Sequence, residues 1–233
     1  MKIAIIAPLV TAISEPQRGG SQAFVSDLAR GLAGRGHDVH VYAASGSEIP
    51  GAEVIDTGID PDSLAATLYR ASGPGVADLA PSEAAFAGVY AQVRGVRYDV
   101  VHNHAFDAPA IALATALGAP VVHTLHLPPE ERVVAALRYA DRWDEPPSVA
   151  AVSAFQAAAW RRVTRVDAIL PPLVPTASIS WSRSARCGAV FAGRLSPEKG
   201  AAEAIDIARA AGIPIDVYGD AYDAGYAREQ IGP

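Results

Sequence analysis

The residues best suited to chemistry in this sequence form one loop, one glycine turn and one group of histidines. The loop is Gly193-Arg194-Leu195-Ser196-Pro197-Glu198-Lys199-Gly200, set between an apolar run and an amphipathic one. A strand feeding a helix brings unpaired amides and the positive end of the helix dipole to one point, where an anion is stabilised. Ser196 reads as the N-cap and Pro197 as the first helical residue. Arg194 would grip phosphate oxygens with a planar fork and Lys199 would act as a point charge. The plain alternative is a well-capped surface helix with two solvated cations.

Gly19-Gly20-Ser21 is the corresponding turn near the amino terminus, where missing side chains would let a ligand approach the backbone. It is not the dinucleotide fingerprint Gly-x-Gly-x-x-Gly, because Pro8-Leu9-Val10-Thr11-Ala12 follows the first strand, and nicotinamide or flavin chemistry is disfavoured. The histidines His102, His104, His123 and His126 fall at or just past the ends of two strands, the edge where open α/β sheets bind ligands. A neutral imidazole there can bond a sugar hydroxyl or a phosphate oxygen and exchange a proton near neutrality. His102 and His123 lie within strands and read as structural, leaving His104 and His126 to face the cleft. No carboxylate or thiol completes a zinc spacing. Ser153 lacks the Gly-x-Ser-x-Gly elbow of a hydrolase and reads as a helix cap.

The elements that must position these residues alternate strand and helix. Strands are expected at Ile3–Ala7, Val39–Ala43, Glu53–Ile55, Asp99–His102, Pro120–Thr124, Val149–Val152 and Ala168–Leu170. Helices are expected at Ser21–Arg35 with Gly36 as a left-handed cap, then near Asp62–Ala71, Ser82–Val93, Pro109–Leu117, Glu130–Tyr139 and Ala154–Val163. The first two strands are continuous apolar runs, the mark of a parallel sheet covered on both faces. From Pro171 to Arg186 the composition turns to Pro, Ser, Thr and Arg, a linker. Beyond it one further βαβ unit runs through strand Ala189–Ala192, helix Pro197–Ala211, Gly212 and strand Ile215–Tyr218, too few strands to cover its own apolar faces. The fold class is therefore α/β: a Rossmann-like parallel-sheet domain over residues 1–170, a linker over 171–186 and a partial second Rossmann-like domain over 187–233.

The 233 residues carry 19 Lys and Arg against 25 Asp and Glu, a net charge of −6, which leaves no basic field for nucleic acid or an anionic membrane surface. A single cysteine, Cys187, suits a reducing cytoplasm. Pro8 interrupts the opening apolar run and no stretch reaches the ~20 residues of a bilayer span, so neither export nor membrane insertion is expected.

In order along the chain, Met1 to Pro8, Gly19-Gly20-Ser21, Gly36-His37-Asp38-Val39, Asp99-Val100-Val101-His102-Asn103-His104, Val122-His123-Thr124-Leu125-His126, Val152-Ser153 and Phe191-Ala192-Gly193-Arg194-Leu195-Ser196-Pro197-Glu198-Lys199-Gly200 resemble the retaining nucleotide-sugar glycosyltransferases of family 4, which have the GT-B fold of two facing Rossmann-like domains. The resemblance implies hexosyl transfer, with retention, from a nucleotide-diphosphate sugar to a sugar or small-molecule acceptor, as in carbohydrate biosynthesis. It implies that Arg194 and Lys199 neutralise the donor diphosphate, that the Gly19 and Gly20 amides touch it from the other side, that His126 is the catalytic-site residue near the transferred sugar, and that His104 contacts acceptor or sugar. No cofactor or metal is expected, the nucleotide-sugar being a substrate. The family's Glu-x7-Glu motif belongs to a part of the second domain that this sequence does not include, and Trp143-Asp144-Glu145-Pro146 resembles its opening without the second glutamate. The alternative is a non-catalytic nucleotide- or sugar-binding module, completed by a partner chain or a dimer.

Overall fold

The computed structural model describes residues 1–17, 19–61, 63, 64, 80–174, 176, 179–184, 187–221 and 223–232. The chain divides into two compact units, Met1–Pro175 and Thr176–Pro233.

The first unit is a seven-stranded, all-parallel sheet. Its strands are β1 (Lys2–Ile6), β2 (Asp38–Ala43), β3 (Glu53–Asp56), β4 (Val100–Asn103), β5 (Val121–Leu125), β6 (Ser148–Ala151) and β7 (Ala168–Ile169), in the spatial order β3-β2-β1-β4-β5-β6-β7. The connecting helices are α1 (Gly20–Ala33), α2 (Ala80–Arg94), α3 (Ala108–Ala114), α4 (Glu131–Ala140) and α5 (Ala154–Trp160). The helix expected over residues 62–71 falls largely outside the described residues.

From Ile3 onward β1 is apolar because both its sides are covered. Ile3, Ile5 and Ala7 pack with Val25 and Ala29 of α1, whereas Ala4 and Ile6 pack with Phe86, Val89 and Tyr90 of α2. A third cluster joins Ile111, Leu125, Leu137, Val149 and Trp160 under α3, α4 and α5. Burying this much aliphatic and aromatic surface, at roughly 25 cal/mol per Å², drives the alternation of strand and helix into one layered sheet.

The chain runs outward from β1 through β2 to β3, then returns so that β4 pairs with the opposite edge of β1, in the register Ile6 to Asn103. The carboxyl ends of β1 and β4 therefore form the switch point where such sheets open a crevice. Every expected strand and described helix is present, with ends shifted by a few residues. α1 stops at Ala33, and Gly36 supplies the left-handed turn at φ 83° that leads into β2.

The second unit pairs β8 (Ala189–Ala192) with β9 (Ile215–Tyr218) in parallel, connected by a short 3₁₀ turn at Pro197–Lys199 and by α6 (Ala201–Ala211). Val190 and Tyr218 are exposed on the sheet and Ile207 on the helix. The helix expected from Pro197 is thus divided: Gly200 adopts a left-handed conformation at φ 73° and restarts the helix at Ala201. A proline set at φ near −65° serves a 3₁₀ turn as readily as a first α-helical turn.

Candidate functional site

Three of the four histidines collect on one face of the sheet at the switch point. His102 packs against His104 with ring centroids 4.1 Å apart and planes tilted by 41°, and His104 lies 5.2 Å from His126. Nδ1 of His104 is 2.9 Å from Nε2 of His126, and Nε2 of His102 is 2.7 Å from the Thr124 hydroxyl. Phe24 of α1 covers the group, edge-on to His126 at 5.1 Å and tilted to His104 at 5.3 Å. Period-2 alternation sends the neighbouring residues to the opposite face, where Nδ2 of Asn103 donates to Nδ1 of His123 at 3.0 Å. The Ala105 amide donates to Oδ1 of Asn103, which fixes the orientation of that side chain.

The expected division of the histidines changes in two respects. His123 is buried and hydrogen-bonded as a structural residue, and His126 is only partly covered. His104, expected to face the cleft, is fully buried. Its amide donates to the Ile6 carbonyl at 2.8 Å, extending the β1–β4 ladder one residue past the strand and keeping the side chain beneath α1. His102, expected to be purely structural, is hydrogen-bonded yet also lines a cavity of about 200 Å³ with Phe24, Leu28, Leu32, Arg35 and Leu173.

Burial holds all four imidazoles neutral. It lowers His102 to about 4, with His126 adding to the effect, and lowers His126 to about 4 as well. His123 falls to about 3 through burial and then His102, and His104 falls well below its ordinary value through burial and then its two histidine neighbours. At neutral pH these rings are hydrogen-bonding groups, each with one N–H and one lone pair. Among the described residues, no three His, Cys, Asp or Glu side chains are grouped to hold a metal ion.

Two residues that the sequence did not single out hold the His126 loop. The Leu127 carbonyl accepts from Nε1 of Trp160 at 2.9 Å and from Nε2 of Gln156 at 2.6 Å, both on α5. Ser153 caps α5 by accepting from the Gln156 amide, as expected. Gly19 is the N-cap of α1 with extended backbone and no side-chain cap, and nothing stands within 4 Å of where a Cβ on Gly20 would lie. The open first turn of α1 is ~6 Å along the helix from Phe24, so the structure brings the Gly19–Gly20 corner and the histidine cluster to the same end of the sheet.

In the second unit Nη2 of Arg194 lies 3.4 Å from Glu198, and Lys199 is exposed. Several amides that a continuous helix would leave to an anion are already used. Lys199 donates to Ser196, Gly200 to Pro197, and Ala202 to the Tyr226 hydroxyl. Gly193 donates to Tyr218 and Leu195 to Asp220, so the two strand ends hold the loop. Gly219, at φ 156°, has no room for a Cβ, which would collide with the Gly193 carbonyl.

Residues 18–177 match the family described as Glycosyltransferase Family 4. The chain belongs to that family. The chain is 30% identical over 135 residues to the D-inositol 3-phosphate glycosyltransferase of Corynebacterium diphtheriae, a match covering 54% of the chain and 31% of the relative. Its fold superposes on sucrose-phosphate synthase from Thermosynechococcus elongatus with a TM-score of 0.68 and 15% identity, over 94% of this chain and 62% of that one. MurG of Acinetobacter baumannii gives a TM-score of 0.52 at 11% identity, over 93% of this chain and 59% of that one. The glycosyltransferase SsfS6 of Streptomyces sp. SF2575, solved with thymidine diphosphate, gives 0.50 at 15% identity, over 93% and 67%. The chain thus spans less than two thirds of the sucrose-phosphate synthase chain and about a third of the curated relative. The first unit is Rossmann-like, consistent with the amino-terminal domain of the GT-B fold, and among the described residues no helix is long and apolar enough to cross a membrane.

Proposed function

We propose that this glycosyltransferase uses a nucleotide-diphosphate sugar as donor and transfers its hexose, with retention, to a sugar or small-molecule acceptor in the cytoplasm. The observation that carries the reading is the loop from Gly193 to Gly200, in which Arg194 and Lys199 stand beside a helix start anchored to both strands of its unit. When the glycosidic bond breaks, negative charge grows on the departing diphosphate. Fixed cations stabilise that charge more in the transition state than in the ground state. In this reading Arg194 gives two parallel N–H bonds and Lys199 a third contact.

In the first unit, the uncapped first turn of α1 at Gly19 and Gly20 is a second anion-binding corner. His126, neutral and half-buried beside it, contacts the transferred sugar. The part of the reaction assigned to these residues is charge stabilisation and orientation, with no covalent step on a side chain of this chain.

A panel of uridine-, guanosine- and thymidine-diphosphate hexoses, assayed with the full-length gene product, tests the proposal. One donor should be consumed with release of its nucleoside diphosphate, and NMR of the product should show the donor's anomeric configuration kept. Consumption of none, or inversion at the anomeric carbon, would contradict it.

A further inference from the structure

We infer that His104 is a positioning residue whose Nδ1–H donates to Nε2 of His126, which fixes His126 in the tautomer protonated on Nδ1 and makes its ring a standing hydrogen-bond donor. The inference deepens the reading of His126 as the sugar-facing histidine.

The argument is an accounting of one proton on each ring. The rings meet through Nδ1 of His104 and Nε2 of His126 at 2.9 Å, so one of these atoms must donate and the other accept. Nε2 of His104 is buried and without a hydrogen-bond partner. If His126 donated, the His104 proton would sit on that atom, and a buried N–H would be left with no acceptor. If His104 donates, only a bare lone pair is left there. Of the two defects, an orphaned N–H is the rarer in protein interiors. His104 is held against turning its ring, because Phe24 packs against it at 5.3 Å and the tilted ring of His102 at 4.1 Å.

With Nε2 of His126 occupied as an acceptor, the proton of that ring stands on Nδ1. The ring then has no basic lone pair free for a substrate, so it does not serve as a general base. The ligand atom that it meets must itself be an acceptor: a sugar hydroxyl oxygen or a phosphate oxygen. A substrate hydroxyl can orient its own proton elsewhere and accept here. His104 thereby acts on the sugar only through its neighbour, which explains why a fully buried histidine stands one residue past β4 in this family member.

The test is a long-range ¹H–¹⁵N correlation spectrum of the chain labelled with ¹⁵N-histidine, recorded at pH 7.5 without ligand. Nδ1 of His126 should resonate as a protonated ring nitrogen and its Nε2 as an unprotonated one, with the same pattern at His104. A protonated Nε2 at His126 would overturn the inference. His104→Phe keeps a ring in the space but removes the donor, and His126 should relax to the Nε2–H form that a free imidazole side chain prefers in water. His104→Asn, whose amide can donate from the position of Nδ1, should restore the Nδ1–H form. Retention of Nδ1–H at His126 in the Phe variant would also overturn the inference, and if that variant does not fold the wild-type spectrum decides alone. Because the tautomer is read without ligand, its failure leaves the donor proposal standing, and failure of the donor assays leaves the tautomer standing.

Discussion

Trp160 holds Leu127 across 33 positions of sequence, its indole Nε1 donating to the Leu127 carbonyl at 2.9 Å. The consequence is positional. Leu127 follows His126 directly, and the buried indole at the end of α5 ties the histidine's loop to the third apolar cluster, so packing of α5 and placement of the imidazole are one property.

Trp160→Phe removes the donor and part of the buried ring while Gln156 keeps its own bond to the same carbonyl. A loss of about 1–3 kcal/mol in unfolding free energy is expected from the lost bond and the space left behind. Urea denaturation measures it, and glycosyl transfer should fall further than Gln156→Ala makes it fall.

Stability should decline as pH falls from about 6.5 toward 4. His102 and His126 have folded values of about 4, His123 of about 3, and burial holds His104 well below its ordinary value, so in this window the unfolded chain takes up protons that the folded chain refuses. Each ring that refuses its proton lowers stability further as pH falls, until its own folded value is reached. Asp107 works in the opposite sense: burial raises it to about 6, so it gains stability as pH drops from there toward its ordinary 3.8. Four imidazoles outweigh one carboxyl. A urea midpoint that does not move between pH 7 and pH 5 would contradict this balance.

Much of this arrangement was legible in the sequence. The continuous apolar runs at Ile3–Ala7 and Val39–Ala43 mark doubly covered strands because only a parallel sheet buries both alternating sets of side chains. The structural role of His123 is legible, since a histidine between Val122 and Thr124 lies inside a strand of such a sheet. His104 was harder. Its burial follows from the backbone bond to Ile6, and no local spacing encodes that pairing between distant strands. The helix start at Ala201 is not legible, because Ser196-Pro197 fits an N-cap and first-turn pattern whether the turn is 3₁₀ or α, and the left-handed Gly200 that decides between them is silent in sequence. The Trp160 to Leu127 bond and the cavity closed by Leu173 join residues far apart along the chain.

Gly219→Ala should destabilise the second unit. The backbone at φ 156° suits glycine, and a Cβ would collide with the Gly193 carbonyl in the same loop as Arg194. Backbone strain alone costs about 1–3 kcal/mol, and thermal unfolding should report it as a lower transition for that unit together with weaker nucleotide binding.

Glu198 competes for Arg194, with the carboxylate 3.4 Å from the guanidinium and both side chains substantially exposed. Exposed pairs of this kind contribute up to about 1 kcal/mol. Glu198→Gln should therefore tighten binding of a nucleoside diphosphate by up to about five-fold, measured by calorimetry. Weaker binding would show that the carboxylate assists the ligand instead.

The most direct measurement is the melting temperature of the chain titrated with uridine or guanosine diphosphate, for wild type and for Arg194→Ala. A ligand that binds only the folded state raises Tm as its concentration passes Kd. The account predicts a saturable rise in the wild-type protein and its loss in the Arg194→Ala variant. An equal rise in both would contradict the assignment of the diphosphate to the Arg194 loop.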